Sequence, residues 1–206
     1  MQTPIIPTSY CPPIEYFAFL AQNEKILIEQ LETFPKQTFR NRAVILTANG
    51  PLPLIVPVER TNGNHTLTRD VTISYRENWN IQHWRALESA YNTSPYFLYY
   101  KDGLEKIFKE KPASLIELNN KIIQYLIAKI KIDCEISLTE CFTPIIEPDY
   151  RTILTDKKRV MQTQTEEYDQ VFSTKYPFVP NVSILDLLFN LGPDTKKYLQ
   201  KHKLSL

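Results

Sequence analysis

The stretch IIPTSYCPPIEYFAFLAQNEKILIEQ, residues 5–30, decides the fold class. It opens on a short apolar run, Ile5 and Ile6, and passes a proline-rich turn. Residues 13–21 then carry apolar side chains at helical spacing, at Ile14, Phe17, Ala18 and Ala21, and Pro13 suits the first helical position. Ile26 and Ile28 alternate with polar neighbours, as in a strand. Strand, turn, helix and strand make the start of a βαβ unit, so parallel strands are expected.

The rest of the chain is read outward from that unit. RAVILTANGPLPLIVPV predicts an antiparallel hairpin with arms over 43–46 and 52–58 and its turn at Asn49-Gly50. Pro53 and Pro57 cannot donate ladder hydrogen bonds, so the second arm belongs at an edge or leaves the sheet early. A polar loop and a short strand, VTISY, follow. NWNIQHWRALESAY predicts a helix capped by Asn78, with Trp79, His83, Leu87 and Ala90 on one stripe. PASLIELNNKIIQYLIAKI carries a wide apolar helical stripe, and KIDCEISLTE alternates as a strand with Ile132, Cys134, Ile136 and Leu138 inward. Residues 142–164 show no dominant period and read as a lid, a partner-binding arm or a loose loop. Asn181 or Ser183 caps a helix, Gly192 stops it, and Pro193 opens a last one. The expectation is one α/β domain over residues 1–206: a Rossmann-like, mainly parallel sheet with an antiparallel hairpin and a helical C-terminal portion.

Composition excludes several classes. The 206 residues are 43% hydrophobic and 23% charged, with net charge +1 and no basic run, which argues against a nucleic-acid partner or a polybasic membrane anchor. No apolar run is long enough to insert in a bilayer, and the N-terminus has no signal-peptide pattern. Three cysteines make no disulfide framework and fit a reducing, cytoplasmic setting. With only four glycines, glycine-rich phosphate loops are ruled out. No cofactor is expected. The three histidines have no metal-ligand spacing with one another or with a cysteine, so no metal is expected.

Several side chains carry chemistry. Arg40 and Arg42, with Asn41 between them and Lys36 nearby, put two guanidinium forks on one face of a strand entry, suited to a phosphate or carboxylate; the alternative is a solvated, edge-protecting cluster. His83 faces inward and is either a general base or a core imidazole with one hydrogen bond. Glu29 and Glu32 lie at the C-terminal end of the second strand, where open α/β sheets bind ligands; they orient His83 or accept a proton, or else form a salt bridge with Lys36 or Arg40. Asp186, three residues after Ser183, fits a capping box, and a role in catalysis or substrate binding is the alternative. Asn119 and Asn190 read as amides that tie down neighbouring loops. Cys11 is a nucleophile only if His83 reaches it. Tyr10 and Tyr16 are candidate walls of a sugar pocket.

PTSYCPPIEYFAFL, KQTFRNRAVILTANGPLPLIVPV, WNIQHWRALESAYNTSPYF and PNVSILDLLFNLGP, in that order and spacing, resemble the WbqC-like family over nearly the whole chain. The matching positions are Tyr10, Pro13, Tyr16 and Phe17; Arg40, Asn41 and Arg42; Asn49, Gly50 and Pro57; Trp79, His83 and Tyr91; and Ser183, Asp186 and Asn190. Glu29 and Glu32 stand where many relatives carry an Asp-Asp-Val-Gln-type run, and PTSY stands where they often have Gln-Pro. The resemblance implies a cytoplasmic bacterial protein of O-antigen or other surface-polysaccharide biosynthesis. It also implies acyl or aminoacyl transfer to an activated, nucleotide-linked amino sugar. On that reading Arg40 and Arg42 hold the diphosphate or a carboxylate, and His83, oriented by Glu29 or Glu32, deprotonates the acceptor. The competing expectation is a non-catalytic nucleotide-sugar-binding or adaptor protein of the same pathway. The partner is a small-molecule activated sugar or acyl donor in the first reading, and a nucleotide sugar or a partner enzyme in the second. Donor, acceptor and oligomeric state stay open.

Overall fold

The computed structural model describes residues 3–155 and 165–204. The opening unit forms: β1 (Ile5–Pro7), α1 (Ile14–Ala21) and β2 (Lys25–Glu29), with β1 and β2 parallel and Ile6 opposite Ile28; Pro13 is the extended N-cap of α1 and not its first helical residue. Helix α1, apolar except for Glu15, is buried almost all round. The third strand of this sheet is β7 (Glu135–Leu138), parallel to β2, so the order β1-β2-β7 leaves β2 in the middle. Its inward residues Ile136 and Leu138, and Cys134 just before it, are only half-buried, because β7 is an edge strand.

The hairpin is present, β3 (Arg42–Thr47) against β4 (Gly50–Ile55), but it is a two-stranded sheet of its own. Thr47 pairs with Gly50, so the turn is Ala48-Asn49 and not Asn49-Gly50; Gly50 supplies the positive φ, +93°, just after it. Val44 and Leu46 pair with Pro53 and Pro51. Their main-chain groups face the other way: Val44 O accepts from Ser183 N–H at 2.8 Å, and Leu46 N–H reaches the Tyr91 hydroxyl at 3.3 Å. The prolines therefore sit where β4 needs no ladder donor, and they leave its outer edge short of donors. The expected second arm splits: Pro57 precedes a separate strand, β5 (Val58–Arg60), which pairs with β6 (Val71–Ile73).

Four helices follow: α2 (Trp79–Tyr91), α3 (Phe97–Glu110), α4 (Leu115–Ile130) and the short α5 (Tyr150–Ile153). Asn78 occupies the cap position of α2 without a side-chain capping bond. Helix α3 has no counterpart among the expected elements, although Phe97, Tyr100, Leu104, Ile107 and Phe108 recur at helical spacing on its buried face. The aperiodic segment is represented by α5 and its flanks; residues 156–164 of it lie outside the described residues. At the C-terminal end are α6 (Ile184–Leu191), capped by Ser183, and α7 (Thr195–Lys201). Gly192 ends α6 at φ +53°, and a Cβ there would meet the Tyr96 ring at 2.4 Å. Residues 182–184 bond back to Pro12, Ile14 and Val44, which seats the hairpin and α6 on the opening unit. One hydrophobic cluster runs from Ile6 through α1, α2, α3 and α4 to Leu199. Among the described residues no helix is long and apolar enough to cross a membrane.

Candidate functional site

At the carboxyl ends of β1, β2 and β7, where parallel sheets receive ligands, the chain buries a cluster of charges. Glu29 ends β2 fully enclosed. Its Oε1 accepts from Leu31 N–H at 2.7 Å and from the Thr139 hydroxyl at 2.8 Å, and its Oε2 lies 3.6 Å from Arg151 Nη1. Arg40, only 2% exposed, forks onto Glu32, with Nε to Oε1 at 2.7 Å and Nη2 to Oε2 at 3.0 Å. Arg151 grips Asp149 through Nε and Nη2, both at 2.9 Å, and donates from Nη1 to Thr143 O at 2.8 Å.

Backbone ties place these groups. Phe39 O accepts from Tyr10 N–H and the Ser9 hydroxyl, which fixes the residue before Arg40. The Asn119 amide donates to Arg40 O at 2.8 Å and Thr8 Oγ1 at 3.0 Å, so α4 clamps Arg40 to the loop after β1. Asp149 caps α5 by accepting from Arg151 N–H. Above the cluster lies a cleft of about 380 Å³, lined by Glu32, Thr33, Thr38, Arg40, Arg151 and Thr155, among others.

Burial pushes the Glu32 carboxyl above its ordinary range, and Arg40 only partly offsets this. The Arg151 hydrogen bonds hold the Asp149 carboxyl below its ordinary range. Within this charge cluster two buried atoms make no hydrogen bond to the described residues: Arg40 Nη1, a donor, and Glu29 Oε2, an acceptor whose one close cation is Arg151.

The expected site residues divide. Glu29, Glu32 and Arg40 meet, and Glu32 takes the Arg40 pairing. Arg40 is thus no solvated edge charge. Arg42 leaves the expected pair: it lines a separate hollow of about 40 Å³ with Phe39, Val44 and Pro53, adjoining the cleft through the shared Thr38. Lys36 is exposed and is not among the residues lining the cleft. Asn41 holds Val56 O at 2.9 Å. Tyr10 and Tyr16 are fully buried, so they wall no open pocket; the Tyr16 hydroxyl donates to Pro7 O. Burial raises the Cys11 thiol to about 12, which leaves it protonated and poorly nucleophilic.

His83 lies apart from the charge cluster. Its Nδ1 shares a 2.9 Å hydrogen bond with the Tyr10 hydroxyl, and Trp79 packs edge-on at 5.1 Å. No hydrogen bond, ion pair or ring contact among the described residues joins it to Glu29, Glu32, Arg40 or Arg42. The expected meeting of imidazole and guanidinium pair is absent, because Tyr10 turns inward from the loop after β1 and engages the ring. Burial lowers the His83 pKa to about 4. Between the ordinary 6.5 and about 4 the unfolded chain holds the imidazole proton and the folded chain does not. Stability from this group is therefore complete above about pH 6.5 and falls as pH drops towards 4, by at most about 3 kcal/mol. Glu32, with its raised pKa, acts in the opposite sense. The isolating measurement is urea unfolding across that range for wild type and His83→Asn: the variant should show a flatter acid limb, and identical limbs would remove His83 as the cause.

Asp186 departs from the capping box. Ser183 Oγ caps Leu185 N–H, but the Asp186 carboxylate is fully buried and accepts from the Tyr91 hydroxyl at 2.9 Å, the Tyr168 hydroxyl at 2.6 Å and Gln170 Nε2 at 3.0 Å. Burial raises its pKa although all three donors pull the other way. Asn190 bonds its own helix at Asp186 O. Sequence reasoning missed Arg151, Asp149, Thr139 and Thr155. The one signal was a run of charged residues, EPDYRT, inside a segment with no amphipathic period.

Among the described residues no group of three or more His, Cys, Asp or Glu side chains is arranged to hold a metal ion. A family model described as the WbqC-like protein family matches residues 8–156 and 156–198. The chain is also 26% identical over 223 residues to the uncharacterized protein Rv1507c of Mycobacterium tuberculosis, covering 95% of this chain and 96% of that protein. No solved structure shows significant similarity.

Proposed function

The chain belongs to the WbqC-like protein family, and from that premise we propose that it is a group-transfer enzyme of bacterial surface-polysaccharide assembly working at the cleft over β1, β2 and β7. The reaction is transfer of an acyl or aminoacyl group to a nucleotide-linked amino sugar. The observation that carries this reading is the cleft itself, where Glu32, Arg40 and Arg151 converge and the buried donor Arg40 Nη1 is left without a hydrogen bond. Arg40 Nη1 suits a phosphate or carboxylate oxygen of the substrate. Glu32 takes over the base role first expected of His83: the acceptor nitrogen attacks the donor carbonyl, the leaving group departs, and the amine proton passes to the Glu32 carboxylate. Its raised pKa moves it towards the value a base needs at neutral pH.

The test is a thermal-shift screen of nucleotide-linked amino sugars and of acyl and aminoacyl donors, followed by turnover with the hits. Ligands that bind the folded state raise the Tm of wild type and Glu32→Gln alike. Turnover should fall about 10²–10⁴-fold in Glu32→Gln. Wild-type turnover in that variant, or no shift with any ligand, overturns the reading. A second reading, the non-catalytic binding or adaptor role, has one observation in its favour: Phe142 and Ile145, 47% and 82% exposed, offer apolar surface on the arm before Arg151. Ligand-induced shifts with no turnover in wild type would favour it.

A further inference from the structure

A groove of about 340 Å³ opens between α2 and α3, on residues that the charge cluster does not use: Asn80, Ile81, Trp84, Arg85, Phe108 and Lys111 among them. Its size and its aromatic lining with a few polar groups are those of a small-molecule site. Asn80 Nδ2 donates to Phe108 O at 2.9 Å, which fixes the amide and leaves Oδ1 buried without a hydrogen bond. Trp84 packs on Phe97 and Phe108, with ring centroids at 6.1 and 5.9 Å, and its indole Nε1 is likewise buried and unpaired. Asn80 and Trp84 are 3% and 6% exposed. Four residues apart, they are neighbours on one face of α2. Buried polar side-chain atoms are nearly always paired, so an acceptor and a donor left together in one groove lining mark a recognition edge.

We propose that this groove is a second small-molecule site, for a planar ring whose edge carries an N–H beside a carbonyl, the chemistry of a uracil-type base. Asn80 Oδ1 accepts the ring N–H, and Trp84 Nε1–H donates to the carbonyl. Lys109 is paired with Glu105 at 2.6 Å and Lys111 lies over the Tyr75 ring at 5.8 Å, which leaves Arg85 as the lining cation without a partner among the described residues; an attached phosphate is accommodated at Arg85 and Lys111. The site does not depend on the transfer reaction and stands or falls separately from it.

The chain has two tryptophans, and the Trp79 indole already donates to Ser74 O at 3.0 Å. The two indole N–H resonances of ¹⁵N-labelled wild-type protein therefore report one filled and one unfilled donor. Titration with millimolar uridine 5′-monophosphate should move the Trp84 resonance downfield and saturably, with Trp79 nearly still. Uridine should do the same more weakly, and ribose 5-phosphate should move neither. Ile81→Phe, a change at a rim residue that is 42% exposed, should weaken the response at least about tenfold with the Trp79 resonance in place. The proposal is overturned by a Trp84 resonance that does not move, by one that ribose 5-phosphate moves equally, or by undiminished binding in Ile81→Phe.

Discussion

Arg40→Met is expected to lower stability by about 3–5 kcal/mol, because it strands a largely buried carboxylate without its partner. In a chain of this size that is a Tm fall of roughly 6–20 °C. The Arg40 side chain is 2% exposed and that of Glu32 13%, so solvent cannot replace the lost fork. Arg40 Nη2 also holds Arg151 O at 3.3 Å, so the loss reaches α5. Adding Glu32→Gln should recover a large part of the deficit, since a neutral amide needs no counter-charge. A double-mutant cycle by urea unfolding measures this. Additive losses, with no recovery in the double variant, would mean that Arg40 acts through packing alone and that the cluster is not electrostatically coupled.

Asp186→Ala should be comparably damaging, about 3–5 kcal/mol, for a different reason. It removes the acceptor of three donors at once, and each buried donor left unpaired costs about 1–3 kcal/mol, less than additively. The consequences are spatially specific. Tyr91 also receives Leu46 N–H from β3, and Gln170 also clasps Val179 through its N–H and its carbonyl. Asp186 therefore sews the hairpin, α6 and the segment from Tyr168 to Val179 together. Limited proteolysis should cut between residues 165 and 182 in Asp186→Ala before the rest of the chain. Tyr168→Phe, which loses one donor cleanly, should cost only about 1 kcal/mol. A protease-resistant Asp186→Ala within about 1 kcal/mol of wild type would show that these bonds are dispensable.

The elements that could be read from the chain are those whose signal is local. Ile26 and Ile28 alternate, Pro13 opens a helix, Ser183 caps one and Gly192 ends one; each feature acts within one or two turns of its own residue. Helix α3 is equally legible in its spacing, although Gly103 and three lysines interrupt the apolar pattern. The hairpin turn was displaced by one residue because Asn-Gly and a positive φ at Gly50 fit two registers, and Tyr91 and Ser183, distant in sequence, select one of them.

The candidate site was half legible. That Glu29 ends a parallel strand and Glu32 follows it closely is legible in the pattern, and with it the expectation of a ligand edge. By itself, then, the sequence determined the βαβ start, the helices and caps, and the strand edge that carries the acids, because periodicity and capping are short-range. Which charges meet was decided only by tertiary structure. Arg151 reaches Glu29 across more than half the chain, Tyr10 engages His83 rather than walling a pocket, and Asp186 is claimed by two tyrosines instead of its own cap. Buried ionic and polar groups must each find a partner, and which partners come within reach depends on how distant segments pack, a long-range outcome that no local spacing encodes.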